Sequence, residues 1–420
     1  MPKSGRKTKR PGARRGRTSA SASGGPPRNA RTVACDRLAG DAAHFPDLVP
    51  IPLDVDGLDA RDAALAVAIH DAAIRRWWTL AAVLSPYLRR PMIEPRMRAA
   101  LHCGAAQMLL FDRLPAHAVI DETVEWAKHR IRPGAGGMVN AVLRRVSELV
   151  GPERSYRSTW TRRRDEIPLP DGRALVLAEP VMPESPDGLF SAALSLPRAL
   201  LAAWRHAFGE ETAERIACHT LAKAPVILNA RHARSPVPET TPHEREGFLV
   251  YTGDRLGTLL DTRRDVWVQD PASAGAVESA ADLAPGVIVD LCAGRGTKTR
   301  QLRAVFPDAE IIATDTDAGR LATLGRVFEG DAAVTVVPID GVFERAAGRA
   351  DLVLLDVPCS NTGVLARRPE ARYRVGPRQT ERLTATQRQI VADSIRLLAP
   401  SGSILYSTCA LEEMENTEIA

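Results

Sequence analysis

The chain has 420 residues, enough for two or three domains rather than one core. A hydrophobic share of 45% and a charged share of 25% fit a globular protein; no apolar run approaches the roughly 20 residues that span a bilayer, and no charged start leads into a signal-like apolar stretch. The net charge of +5 is unevenly spread, because residues 1–33 carry ten Lys/Arg and no acid, which leaves the remainder mildly acidic.

Residues 1–45 read as a disordered basic tail, rich in Gly, Ser and Pro and too poor in apolar side chains to fold alone. Such a tail suits RNA phosphates through counterion release, and equally a solvated leader with no specific role. Residues 46–150 read as an all-helical domain. Apolar positions recur at spacings of three and four in AALAVAIHDAAIRRWWTLAAVL, MRAALHCGAAQMLLF and GGMVNAVLRRVSELV, and Pro115 fits a first helical turn before AHAVIDETVEWAKHR. Residues 151–192 hold many prolines and the basic cluster Arg162 to Arg164 without sustained periodicity, which predicts a linker. Residues 193–265 read as a connecting subdomain, with Ser195 as N-cap and Pro197 in the first turn of helices that run into the short strand VILNAR.

From residue 266 to 420 apolar strands alternate with helices. GVIVDLCAG, AEIIATDTD, AVTVVPID, ADLVLLDVP and GSILYSTC are the strands, and TKTRQLRAVF and AGRLATLGRVF are helices between them. The pattern predicts an α/β domain with a doubly wound, mostly parallel sheet covered on both faces, whose ligands sit at the carboxyl ends of the strands.

The first of these strands runs into Asp290-Leu-Cys292-Ala293-Gly294-Arg295-Gly296-Thr297-Lys298. The glycines allow a tight turn, but the spacing matches neither the dinucleotide fingerprint nor a Walker A loop. Asp315 ends the second strand, where an acid accepts the hydroxyls of a ribose, and Asp340 is read as ending the third, within reach of an adenine amino group. A glycine loop followed by two acids suits S-adenosylmethionine, which has no pyrophosphate to cradle.

The fourth strand ends in Asp356-Val-Pro-Cys359-Ser and the fifth in Tyr406-Ser-Thr-Cys409. One buried cysteine is commonly a small core hydrophobe, as expected for Cys35, Cys103 and Cys218, but two at neighbouring strand ends suit covalent catalysis. C5 of cytosine is a poor nucleophile, and a thiolate added to C6 turns C5 into an enamine-like carbon able to take a methyl group. That thiol must be partly ionised, and Asp356 is placed to hold or share the proton at N3. The target base must leave its stack, which favours unpaired RNA. The six cysteines include no C-x-x-C pair and no His cluster lies near them, which speaks against a disulfide framework or a metal site and for a reducing cytoplasm.

LPAHAVIDETVEWAK with GMVNAVLRRV resembles the NusB-like RNA-binding domain, and DVPCS, YSTC, VQDPAS, NTGVLARRPEARYR and GSILYSTCALEEMEN resemble the RNA cytosine-C5 methyltransferases of the RsmB/NOP2/Sun group. The resemblance implies a Rossmann-like S-adenosylmethionine-dependent domain behind an all-α NusB-like one, acting as a monomer on small-subunit ribosomal RNA rather than DNA or membrane. It also implies Cys409 as nucleophile, Cys359 as the aid to product release, and residues 292–298 with Asp315, Asp340 and Asp356 as the cofactor site. Arg367, Arg368 and Lys298 are candidates for RNA phosphates. The chain departs from the group's C-A-A-P-G-G-K loop at Arg295 and Thr297. It also stops at Ala420, before two strands usual in the group, so the fifth strand is expected to be an uncovered edge of an apparently truncated sheet. The competing reading is a weak or inactive RNA-binding assembly factor.

Overall fold

A computed structural model describes residues 28–90 and 93–420. Six helices open it: α1 (Ala30–His44), α2 (Ala60–Arg75), α3 (Trp77–Leu84), α4 (Pro95–Leu110), α5 (Ala116–Arg130) and α6 (Ala135–Val150). The first corrects the sequence reading, because residues 30–44 were assigned to the basic tail. Asn29 caps α1 through a reciprocal bond with Thr32, and Ala34, Cys35 and Leu38 face the core. Residues 1–27 lie outside the described residues, and with them most of the expected tail. Helix α4 is buried nearly all round, and Gly104 lets α6 come close, since a Cβ there would stand 2.5 Å from Leu143 Cδ1.

The segment read as a linker is packed structure. Strands β1 (Ser155–Arg157), β2 (Glu166–Pro168) and β3 (Ala174–Val176) form an antiparallel sheet in the order β1-β3-β2. Their Ile167, Leu175 and Leu177 join the helical core. Three-residue strands are too short to show a period, which is why the prolines dominated the reading. Helices α7 (Pro186–Leu194), α8 (Arg198–Phe208) and α9 (Glu210–His219) follow. Ser195 is not an N-cap but the left-handed C-cap of α7 at φ 51°, and Pro197 caps α8 rather than lying inside it. The Ser195 hydroxyl accepts instead from Thr79 N–H at 3.0 Å.

A second antiparallel sheet, of β4 (Val226–Asn229), β5 (Thr240–Pro242), β6 (Phe248–Tyr251) and β7 (Trp267–Val268) in the order β5-β6-β4-β7, carries α10 (Leu256–Thr262) and leads into α11 (Pro271–Glu278). The final unit runs β8 (Val287–Asp290), α12 (Thr297–Val305), β9 (Glu310–Ala313), α13 (Ala318–Val327), β10 (Val334–Val336), α14 (Ile339–Ala346), β11 (Ala350–Asp356), α15 (Pro377–Ser394) and β12 (Leu398–Ser407). The five strands are all parallel, in the order β10-β9-β8-β11-β12. Alternate residues face opposite sides. Ile288, Ile311, Leu352 and Leu354 pack on α12 and α13, whereas Val289, Ile312, Val353 and Leu355 pack on α14 and α15. The strand order reverses between β8 and β11, the crevice where this architecture binds ligands. β12 is the edge strand, and among the described residues no strand pairs with its outer side.

The two halves share one core. Arg372, wholly buried, gives its guanidinium to the carbonyls of Pro369, Arg75, Leu194, Thr220 and Leu365. The Tyr373 hydroxyl donates to Ile74 O at 2.6 Å and accepts from Trp77 N–H at 3.1 Å.

Candidate active site

Strand β8 delivers Asp290, fully buried, whose Oδ2 accepts from the Thr299 hydroxyl at 2.6 Å while Oδ1 has no partner. Burial pushes its carboxyl up to about 7. In the loop that follows, Gly294 and Gly296 stand at φ 60° and 87°, and a Cβ at Gly296 would meet Phe328 at 2.7 Å. Asp315, past the end of β9, is buried and accepts from Gly294 N–H at 3.0 Å and Asp317 N–H at 2.8 Å, which ties the loop to the second strand end. Asp340 does not end a strand. Pro338 stops the chain after β10 and caps α14, so Asp340 sits exposed in the first turn of that helix. Arg295 and Thr297 are exposed beside Gly296, Ala293 is buried, and burial pushes the Cys292 thiol up to about 12, which disfavours its thiolate.

These residues fit S-adenosylmethionine. A buried carboxylate oxygen without a partner calls for a cationic or donor group, as the methionine ammonium is, and each remaining acid keeps free lone pairs for hydroxyl or amino donors.

Strands β11 and β12 pair Asp356 with Ser407, which sets the two following loops side by side. Cys359 Sγ and Cys409 Sγ are 3.0 Å apart, and Cys409 N–H points at Cys359 Sγ at 3.4 Å. Asp356 Oδ1 accepts from the Ser407 hydroxyl at 2.8 Å, and Oδ2 lies 2.8 Å from Lys298 Nζ. Lys298, mostly buried on α12, is therefore part of the site, not a surface phosphate contact. The two thiols lie within hydrogen-bonding reach of each other. The hydrogen bond from Cys409, aided by backbone N–H groups of Asn361 and Cys409, holds the Cys359 thiol below its ordinary value against burial. The same bond, then burial and the Asp356 charge, holds Cys409 far above it, with Lys298 opposing. Of the two thiols Cys359 is the more readily ionised in the free site, which places more donors around it.

Several side chains here carried no separate sequence signal. Glu415 Oε2 accepts from Ser360 N–H and Gln387 Nε2, both at 2.9 Å. Glu412 Oε1 accepts from Trp204 Nε1 of α8 at 3.1 Å, and its Oε2 from the Thr362 and Ser360 hydroxyls. The run CALEEMEN marks the segment, and the fold turns Glu412 and Glu415 of it inward. Arg367, expected on phosphates, pairs with Asp270 at 2.7 Å and donates to Pro225 O, so it braces two domains. Arg368 remains half exposed.

Residues 282–420 match the family model "16S rRNA methyltransferase RsmB/F", and residues 47–148 match that of the NusB family. The ribosomal RNA small subunit methyltransferase B of Xanthomonas campestris is 32% identical over 85% of this chain and 78% of its own length. The chain belongs to the RsmB/F family of 16S rRNA methyltransferases. The ribosomal RNA small subunit methyltransferase B of Thermus thermophilus is 29% identical over 84% of this chain and 76% of its own, and a putative methyltransferase of Mycobacterium tuberculosis is 32% identical over 91% and 83%. The solved structure of PH0851 superposes with a TM-score of 0.69 at 20% identity, covering 94% of this chain and 89% of its own, which shows a shared fold over nearly the whole chain.

Proposed function

We propose that this chain transfers the methyl group of S-adenosylmethionine to C5 of a cytosine in small-subunit ribosomal RNA, with Cys409 as nucleophile. The observation that carries the reading is the thiol pair, Sγ to Sγ 3.0 Å, beside the Asp356–Lys298 pair at the sheet's switch point. The Gly294–Gly296 loop with Asp290, Asp315 and Asp340 would hold the cofactor, which supplies a methyl group on a sulfonium. Cys359 takes the proton of Cys409 as the latter adds to C6 of the flipped base. Lys298 and Asp356 sit where a proton at N3 would be held while charge builds on the ring. Once Cys359 has released that proton to solvent it is the nearest thiolate to the adduct, and after transfer it takes the C5 proton as the Cys409–C6 bond breaks and Cys409 leaves as a thiolate. The NusB-like domain supports RNA rather than DNA as partner. We read a single chain as the acting unit, in the reducing cytoplasm that suits six free cysteines.

The test is methyl transfer from labelled S-adenosylmethionine to unmodified small-subunit rRNA. The wild type should transfer, Cys409→Ala should not, and Cys359→Ala should accumulate a protein–RNA adduct on denaturing gels. RNA binding without transfer by the wild type would replace this reading with that of an assembly factor.

A further inference from the structure

Asn361 follows the Cys359-Ser360 turn, and neither the cofactor site nor the steps above use it. Its side chain spans the two cysteine loops. Nδ2 donates to Cys359 O at 2.9 Å, and Oδ1 accepts from Cys409 Sγ at 3.4 Å. The backbone stands at φ 63°, ψ 22°, a left-handed conformation that Asn tolerates better than most residues. The following residue fixes this placement, because Gly363 N–H donates to Cys409 O at 2.8 Å and a Cβ on Gly363 would stand 2.8 Å from that same oxygen. The amide is therefore held against the Cys409 thiol by contacts on both sides.

We propose that Asn361 is a positioning residue of the methyl-transfer reaction, whose side-chain carbonyl, alongside Cys359 Sγ, accepts the Cys409 S–H, aims that thiol at the incoming base and holds its proton until the base is engaged. The proposal rests on the reading of Cys409 as nucleophile. An acceptor bonded to the protonated form favours that form, so the amide steadies Cys409 as a thiol in the free enzyme. A base entering the site must take its place, which links ionisation of the nucleophile to occupancy. The competing explanation is local: Asn serves only because the turn is left-handed. The two separate cleanly, since glycine satisfies the turn at least as well and has no amide.

The experiment uses the full chain with Asn361→Gly and Asn361→Asp. Iodoacetamide labelling of the Cys409-bearing peptide is followed by mass spectrometry across pH, alongside kcat and KM on small-subunit rRNA. Asn361→Gly should lower kcat on the order of tenfold, leave KM for RNA within about twofold, and move the Cys409 labelling midpoint down by about half a unit or more. Asn361→Asp, with a carboxylate against the thiol, should move the midpoint up by about one unit. An Asn361→Gly protein with wild-type kcat and midpoint would overturn the proposal in favour of the turn alone, and so would an Asn361→Asp midpoint unmoved from wild type. If the wild type transfers no methyl to rRNA, the proposed function fails, while the labelling midpoints still decide whether the amide governs Cys409.

Discussion

Lys298 Nζ and Asp356 Oδ2 meet at 2.8 Å across the ends of the two strands that flank the switch point, with Lys298 held nearly out of solvent. Behind the Cys359 bond and burial, the pair also acts on the Cys409 thiol, whose ionisation the carboxylate opposes and the ammonium favours. Lys298→Met should therefore leave Asp356 unbalanced, cut kcat by about a hundredfold and shift the pH optimum upward, while S-adenosylmethionine affinity stays within a few fold. Steady-state kinetics across pH with calorimetric cofactor binding would check this; an unchanged optimum would separate Lys298 from the thiol.

The hydrogen bond between the cysteines acts on them in opposite directions and should set their order of reaction. At pH 7 iodoacetamide should label Cys359 before Cys409, because the hydrogen bond from Cys409 holds Cys359 low. Cys409→Ser offers a different donor, and Cys409→Ala offers none. The labelling midpoint of Cys359 should rise in the alanine variant, as read by peptide mass spectrometry.

Asp290 makes stability depend on pH. Its folded value of about 7 lies above the ordinary carboxylate value, so between roughly pH 4 and 7 the folded chain binds the extra proton. Stability should be greatest below this window, fall as pH rises through it, and level off above pH 7, by on the order of a few kcal/mol. Asp290→Asn, which can still accept from Thr299, should remove that fall in urea denaturation and weaken S-adenosylmethionine binding at pH 8 by about tenfold.

The Arg372 and Tyr373 contacts should be costly to remove. Arg372→Met strips the donor from five buried carbonyls and should cost about 3 kcal/mol or more. Tyr373→Phe keeps the ring against Trp78 and loses the bonds at Ile74 and Trp77, for about 1–2 kcal/mol. Denaturant midpoints would measure both, and wild-type stability in Arg372→Met would show that the carbonyls find other donors.

What the sequence disclosed follows from how local each signal is. Strands β8, β9 and β11 are apolar runs followed by the acids Asp290, Asp315 and Asp356, and Cys359 and Cys409 sit in short motifs after β11 and β12, so the parallel sheet could be read directly. Asp340 was displaced by one proline, a local detail that a strand ending in VVPID conceals. Strands β1 to β3 are too short for periodicity, and α1 was hidden by the basic run before it. Arg372 was unreadable for a different reason: an arginine signals surface, and only the convergence of carbonyls from three distant segments makes a dry pocket for it. Asn361, Glu412 and Glu415 likewise gain meaning only when two loops and α8 come together.

The segment from Ser360 to Tyr373 has a consequence for modularity. It leaves the catalytic turn of the methyltransferase half and finishes inside the helical half, where Arg372 and Tyr373 complete a core begun some 300 residues earlier, by Arg75 and Trp77. The two family matches meet on paper as separable parts, yet in space each is unfinished without the other. A chimera that exchanges the front domain must therefore import matching carbonyl positions for Arg372, and a cut between the halves should yield two insoluble fragments rather than an RNA binder and an enzyme.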